Sequence, residues 1–100
     1  MNLAHVFCKV KGMTVDEARD RYEGCCIDFA GDLADWIGPE ARMAYFDNLE
    51  IGKWRYHCAV QVGDEIHCLW NRDPVKLRDY LQMLGAATVE YPAEEHEFAV

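Results

Sequence analysis

Apolar and polar positions alternate over the first ten residues. Ala4, Val6, Cys8 and Val10 share one parity, and Leu3, His5, Phe7 and Lys9 share the other. This predicts a strand over residues 3–10, ended by Gly12. The period then changes. Val15, Ala18, Tyr22, Cys25/Cys26, Phe29, Leu33 and Trp36/Ile37 recur every three or four positions, the spacing of one helix face. Thr14 and Glu17 stand at capping-box spacing in front of it, each able to bond the other's amide. Gly38-Pro39 supplies a stop. The pattern predicts a single helix from residue 15 to residue 37. Pro39 can open a short second helix through about Asp47, with Met43 and Phe46 turned inward, and Ile51-Gly52 reads as a turn.

Alternation returns at Trp54. Trp54, Tyr56, Cys58, Val60 and Val62 face one way, and Arg55, His57, Ala59 and Gln61 the other. Ile66, Cys68 and Trp70 continue the pattern in a second run. Gly63-Asp64-Glu65 is expected to be a three-residue hairpin loop that pairs Val62 with Ile66 and Val60 with Cys68. Asp73-Pro74 reads as the start of a helix whose stripe is Leu77, Tyr80/Leu81 and Leu84, closed by Gly85. Residues 87–91 suit a last short strand before Pro92. From about residue 93 the tail is acidic and expected to fray, although Phe98 and Val100 could dock.

The expected class is α+β, a single domain over residues 1–100, in the order βα(α)ββαβ. That order resembles the ferredoxin-like split βαβ arrangement over the whole chain. The resemblance implies a four-stranded antiparallel sheet with helices on one face and the other face open, plus the short extra helix after the first. It says little about function, since that fold hosts many. The 100 residues are 51% hydrophobic with 12% aromatics, enough to build a core without cross-links. No apolar run reaches the ~18–20 residues of a membrane span. The first ten residues have no basic stretch leading into an apolar one, so no secretion signal is read there. Five cysteines, none at CxxC spacing, are expected to be reduced thiols in a cytoplasm.

Two His-Cys dipeptides, His57-Cys58 and His67-Cys68, invite a metal reading. Neighbours on a strand point to opposite faces, so neither pair can chelate as a pair. Cys8, Cys58 and Cys68 are expected in the core, where Cys25 or Cys26 can meet them, as small hydrophobes. No metal and no cofactor are expected. His5, His57 and His67 would all lie on the open sheet face, with Leu3, Phe7 and Leu69. They are read as surface histidines, as part of a homodimer interface, or as an alternative ligand or metal site. An RNA-stacking face fits poorly, because Leu69 is not aromatic and the net charge is -8. The chain has no Gly-rich phosphate loop, no GxSxG and no Cys/His dyad at a recognisable spacing, so enzymatic activity is not expected.

Charge is the most distinctive property. Residues 14–50 hold ten acids against three arginines, and residues 86–100 add four glutamates without a single Lys or Arg. On one long helix Asp16, Asp20, Glu23, Asp28, Asp32 and Asp35 would line the outward side, about 28 Å at ~1.5 Å per residue. Phosphates repeat every ~3.4 Å along a DNA strand, so such a row imitates nucleic acid. The expected function is that of a non-enzymatic acidic inhibitor. Its partner would be a basic nucleic-acid-binding protein or complex, with no direct contact to nucleic acid or membrane. Acids on a solvated helix face also serve solubility alone. In size, acidity and lack of motifs the chain resembles small acidic inhibitors of phages and mobile elements, anti-CRISPR proteins among them, and acidic immunity proteins. That resemblance implies a nucleic-acid mimic acting in a bacterial cytoplasm.

Overall fold

The computed structural model describes residues 1–23, 25–47, 57–85 and 87–91. These hold four helices and five strands: α1 (Leu3–Val10), α2 (Val15–Arg21), α3 (Cys26–Ile37), β1 (Ala41–Asp47), β2 (His57–Val62), β3 (Glu65–His67), β4 (Val75–Lys76), α4 (Leu77–Met83) and β5 (Thr88–Glu90). The class is α+β. All strand pairs are antiparallel, in the order β4-β3-β2-β1-β5. A five-stranded sheet in that order differs from the expected four-stranded ferredoxin-like one.

The chain opens on a helix where a strand is expected. Residues 3–10 satisfy both periods, and the buried set Ala4, Phe7 and Cys8 is the helical one. Asn2 decides between them. Its side chain accepts from the Ala4 amide at 2.9 Å, capping α1. The same side chain donates to the carbonyls of Cys68 (2.9 Å) and Asn71 (2.8 Å). Tertiary contacts thus hold the cap in place, and no sequence window shows them.

The expected long helix is two. The capping box at Thr14 and Glu17 forms, with both bonds at 3.0 Å. α2 nevertheless ends at Tyr22, and α3 starts afresh after Cys25. Residues 22 and 29 of one straight helix would sit about 10 Å apart along its axis. Here the Tyr22 and Phe29 rings meet edge-on, with centroids 5.0 Å apart. Folding back buries both stripes in one core.

Residues 41–47 form the central strand β1, not a helix. Met43 and Phe46 therefore do not turn inward together. Ala44 and Phe46 lie on one face, Ala41, Met43 and Tyr45 on the other. The β2–β3 hairpin has the shorter loop: Val62 pairs with Glu65, Gln61 with Ile66 and Val60 with His67. Gly63, at φ 62°, takes the left-handed turn position. Glu65 lies exposed, so its place opposite Val62 buries no charge. Asp73-Pro74 does not start the last helix. Val75 and Lys76 pair with Ile66 and Glu65 first, and α4 begins at Leu77. The last strand is found at Thr88–Glu90, paired to β1.

Both faces of the sheet are covered. α1 and α3 pack Phe7, Phe29 and Leu33 against Cys58 and Val60. α4 packs Tyr80 and Leu84 against Ala44, Phe46, Ala59 and Ile66. Residues 57–61 are consequently all buried. The expected open face, and the homodimer surface it would offer, is where α4 lies. The expected Ile51-Gly52 turn, the start of the second strand at Trp54–Tyr56 and the acidic tail from about residue 93 fall outside the described residues. No helix among the described residues is long and apolar enough to cross a membrane.

Candidate functional site

The end of the β2–β3 hairpin gathers most of the chemistry in the described chain. His57 opens β2 and Cys68 follows β3, so groups from both faces of the sheet reach this end. α3 begins here too, with Cys25 at its N-cap and Cys26 as its first residue. Cys26 is half-buried among the apolar side chains that α3 lays on the sheet. Arg19 of α2 completes the wall. Its Nε and Nη2 donate to the Leu69 carbonyl at 3.1 and 2.7 Å, and its guanidinium lies 5.0 Å from the Trp70 ring centroid.

These elements enclose a pocket of about 30 Å³. Cys26 lines it together with Phe29, Ala30 and Leu33 of α3, residues 57–60 of β2, and His67, Cys68, Leu69 and Trp70. A space of that size takes a water molecule or a single reacting group. Its walls are mostly apolar, and its polar side chains are the thiols, the imidazoles, Arg19, Tyr22 and Trp70.

His57 is 3% exposed. Its ring stacks near Phe46 and Tyr80, at centroid distances of 6.3 and 6.2 Å. Nε2 lies 3.4 Å from Cys68 Sγ. Burial pushes the imidazole down to about 4, so it is neutral at pH 7 and can accept a proton. Burial also raises the thiols of Cys58, to about 12, and of Cys68. A negative charge on Cys26 would raise Cys58, Cys68 and Tyr80 further. The helix N-terminus under Cys26 favours negative charge.

The histidines expected on one open face are dispersed. His5 stands on α1, with Nε2 3.4 Å from the Leu69 carbonyl. His57 and His67 are both buried, on opposite faces of the sheet. His67 Nδ1 accepts from the Leu3 amide at 2.9 Å, and burial lowers its proton affinity. His67 thus helps hold the start of α1. Among the described residues no set of three His, Cys, Asp or Glu side chains converges as a metal site. Cys8, Cys58 and Cys68 are buried as expected, although Cys68 belongs to the α4 side.

The six acids are exposed. Asp16 and Asp20 lie on α2, Glu23 follows it, and Asp28, Asp32 and Asp35 lie on α3. The break before α3 removes the single straight row. Asp16 pairs with Arg19 at 3.6 Å, and Asp32 accepts from the Tyr22 hydroxyl at 3.3 Å.

That Cys26 and His57 line one pocket was not legible in the sequence. Thirty residues and a strand separate them, and no fixed spacing joins them. One signal was present. Gly24 favours a helix break, and a break there puts Cys25-Cys26 at a helix start. Compared with known proteins, the chain matches no family model, no curated protein and no solved structure.

Proposed function

We propose that the chain is a thiol-dependent acyl-transfer enzyme, a hydrolase or transferase of amides or esters, with Cys26 as nucleophile and His57 as general base. One observation carries the reading: a cysteine at the first position of a twelve-residue helix and a buried neutral histidine line the same small pocket. Cys26 sulfur attacks the carbonyl carbon, and its proton passes to the His57 imidazole as the S–C bond forms. His57 returns that proton to the departing amine or alkoxide. Water or an acceptor then cleaves the thioester by the same route in reverse. The positive end of the α3 dipole favours the developing oxyanion, as helix N-termini do for anions. The pocket admits only the reacting group, so the rest of the substrate lies outside, past Arg19 and Trp70.

The test uses iodoacetamide on a Cys25→Ser chain, so that labelling at Cys26 is read without its neighbour. Cys26 is expected to alkylate faster than free cysteine at pH 7.5, and His57→Gln to slow it by at least ~10-fold, within the range of general-base effects. Equal rates with and without His57, in chains with the same circular dichroism, would overturn the reading.

A second reading rests on charge. The exposed acids Asp16, Asp20, Glu23, Asp28, Asp32 and Asp35 would engage a basic nucleic-acid-binding partner, as an anti-CRISPR or other nucleic-acid mimic does. Its support is that Asp20, Glu23, Asp28 and Asp35 have no ion pair among the described residues, leaving their charge to solvent or a partner. Reversing Asp20, Asp28 and Asp35 to Lys should abolish salt-sensitive capture of such a partner from a bacterial host lysate. Unchanged capture would exclude this role.

A further inference from the structure

A second hollow lies among α1, the end of α2 and α3. It is a groove of about 580 Å³, within the range of small-molecule sites. Part of its lining is apolar. Phe7 and Met13 are buried, and Trp36, 38% exposed, packs on Phe7 with ring centroids 5.6 Å apart. Trp36 therefore keeps indole surface for another aromatic group.

The rest of the lining is charged, with both signs present. Lys11 caps the end of α1 and Arg21 closes α2, while Asp32 and Asp35 stand on one side of α3. Of the six acids, only these two line the groove. No ion pair among the described residues joins either cation to either carboxylate. Other contacts hold the walls. Lys11 Nζ lies 5.7 Å from the Phe7 ring centroid, and Arg21 Nη1 lies 3.9 Å from Met13 Sδ. The Tyr22 hydroxyl donates to Asp32 at 3.3 Å while its ring packs on Phe29, which ties the end of α2 to α3. The groove is thus formed without a ligand.

This lining selects by charge. A simple anion would meet two carboxylates there, and a simple cation would meet two basic groups. A neutral apolar molecule would desolvate four charges and pair none of them. A ligand that carries both signs answers every wall. We propose that the groove binds a zwitterion with an aromatic body, an ammonium and a carboxylate joined as in aromatic amino acids and short peptides. The carboxylate bonds Lys11 and Arg21, the ammonium bonds Asp35 and Asp32, and the aromatic body lies on Trp36. Tyr22 also lines the smaller pocket, but binding here uses neither Cys26 nor His57. Failure of the proposed activity therefore leaves this inference standing, and the reverse also holds.

The test is calorimetric titration of the full chain at pH 7.5 with L-phenylalanine and with the dipeptide Phe-Phe. At least one is expected to saturate a single site, and which one does tells an amino-acid site from a peptide site. The N-acetyl form of that ligand lacks the cation and its C-terminal amide lacks the anion, so each should bind at least ~10-fold more weakly. Lys11→Gln and Asp35→Asn, both at exposed positions, should each weaken the zwitterion by a similar factor with unchanged circular dichroism. Chemical-shift changes on titration should centre on the Trp36 indole N–H and the ends of α1 and α2. The proposal is overturned if neither zwitterion saturates a site by about 10 mM. It is equally overturned if a single-charge form binds as tightly, if both variants bind as wild type does, or if the shifts centre elsewhere.

Discussion

His57 binds a proton far less readily in the fold than in the unfolded chain, where its value is near 6.5, because burial holds it at about 4. The unfolded state therefore binds more protons between those values, and stability rises with pH across that window. The contribution is fully present above about pH 6.5 and disappears as pH falls toward 4. Its size is up to about 3 kcal/mol at ~1.36 kcal/mol per unit. His67 is lowered by burial as well and adds in the same direction. Urea midpoints measured from pH 7.5 to pH 4 should fall steeply, and His57→Gln should flatten the slope. The thiols separate by the same physics. Cys25 is exposed, while Cys8, Cys58 and Cys68 are buried. Ellman's reagent should modify Cys25 in the native protein and reach those three only after denaturant is added.

Caps decide the elements, and the two N-terminal helices show how unevenly caps can be read. The Thr14–Glu17 box is local, and its two bonds form as the sequence predicts. Thr14→Ala should cost about 1 kcal/mol, measurable by denaturant titration. Asn2 looks unremarkable in sequence, yet its amide group bonds three backbone groups, two of them more than sixty residues away. Asn2→Ala should cost about 2–3 kcal/mol, since it removes a cap and strands buried carbonyls. A larger loss for Asn2 than for Thr14 is the expected order. The same asymmetry explains which elements were legible. The β2–β3 hairpin and the last strand rest on alternation and turn residues, which are local. α1 and β1 carry patterns that fit either period, and only their partners choose. Met43 and Phe46 are three apart, as on a helix, yet pairing with β2 and β5 separates them onto two faces.

At the scale of the molecule, covering both faces of the sheet is what creates the candidate site. A sheet with one open face would have left His57 in solvent, as the sequence reading expected. α4 instead buries it against Tyr80, and α3 brings Cys26 to the same end. Neither placement follows from charge or spacing, so the pocket could not be read ahead of the fold. Phe46 of β1 is fully buried under α4, stacked on His57 and tilted against Tyr80. Phe46→Ala should cost about 3–5 kcal/mol, and loosening that contact should raise the proton affinity of His57. Thermal melts and imidazole titration of the folded fraction would check the two effects together.

The sheet's outermost strands among the described residues are β4 and β5, and they are two and three residues long. An exposed edge is a template onto which another chain can add, and long flat edges seed fibrils. Here the long strands β1 and β2 are shielded from that fate by neighbours too short to propagate it. Lys76 at one rim and Glu90 at the other place a charge on each short edge. The same arrangement that encloses the chemistry therefore leaves these described edges little capacity to template self-association.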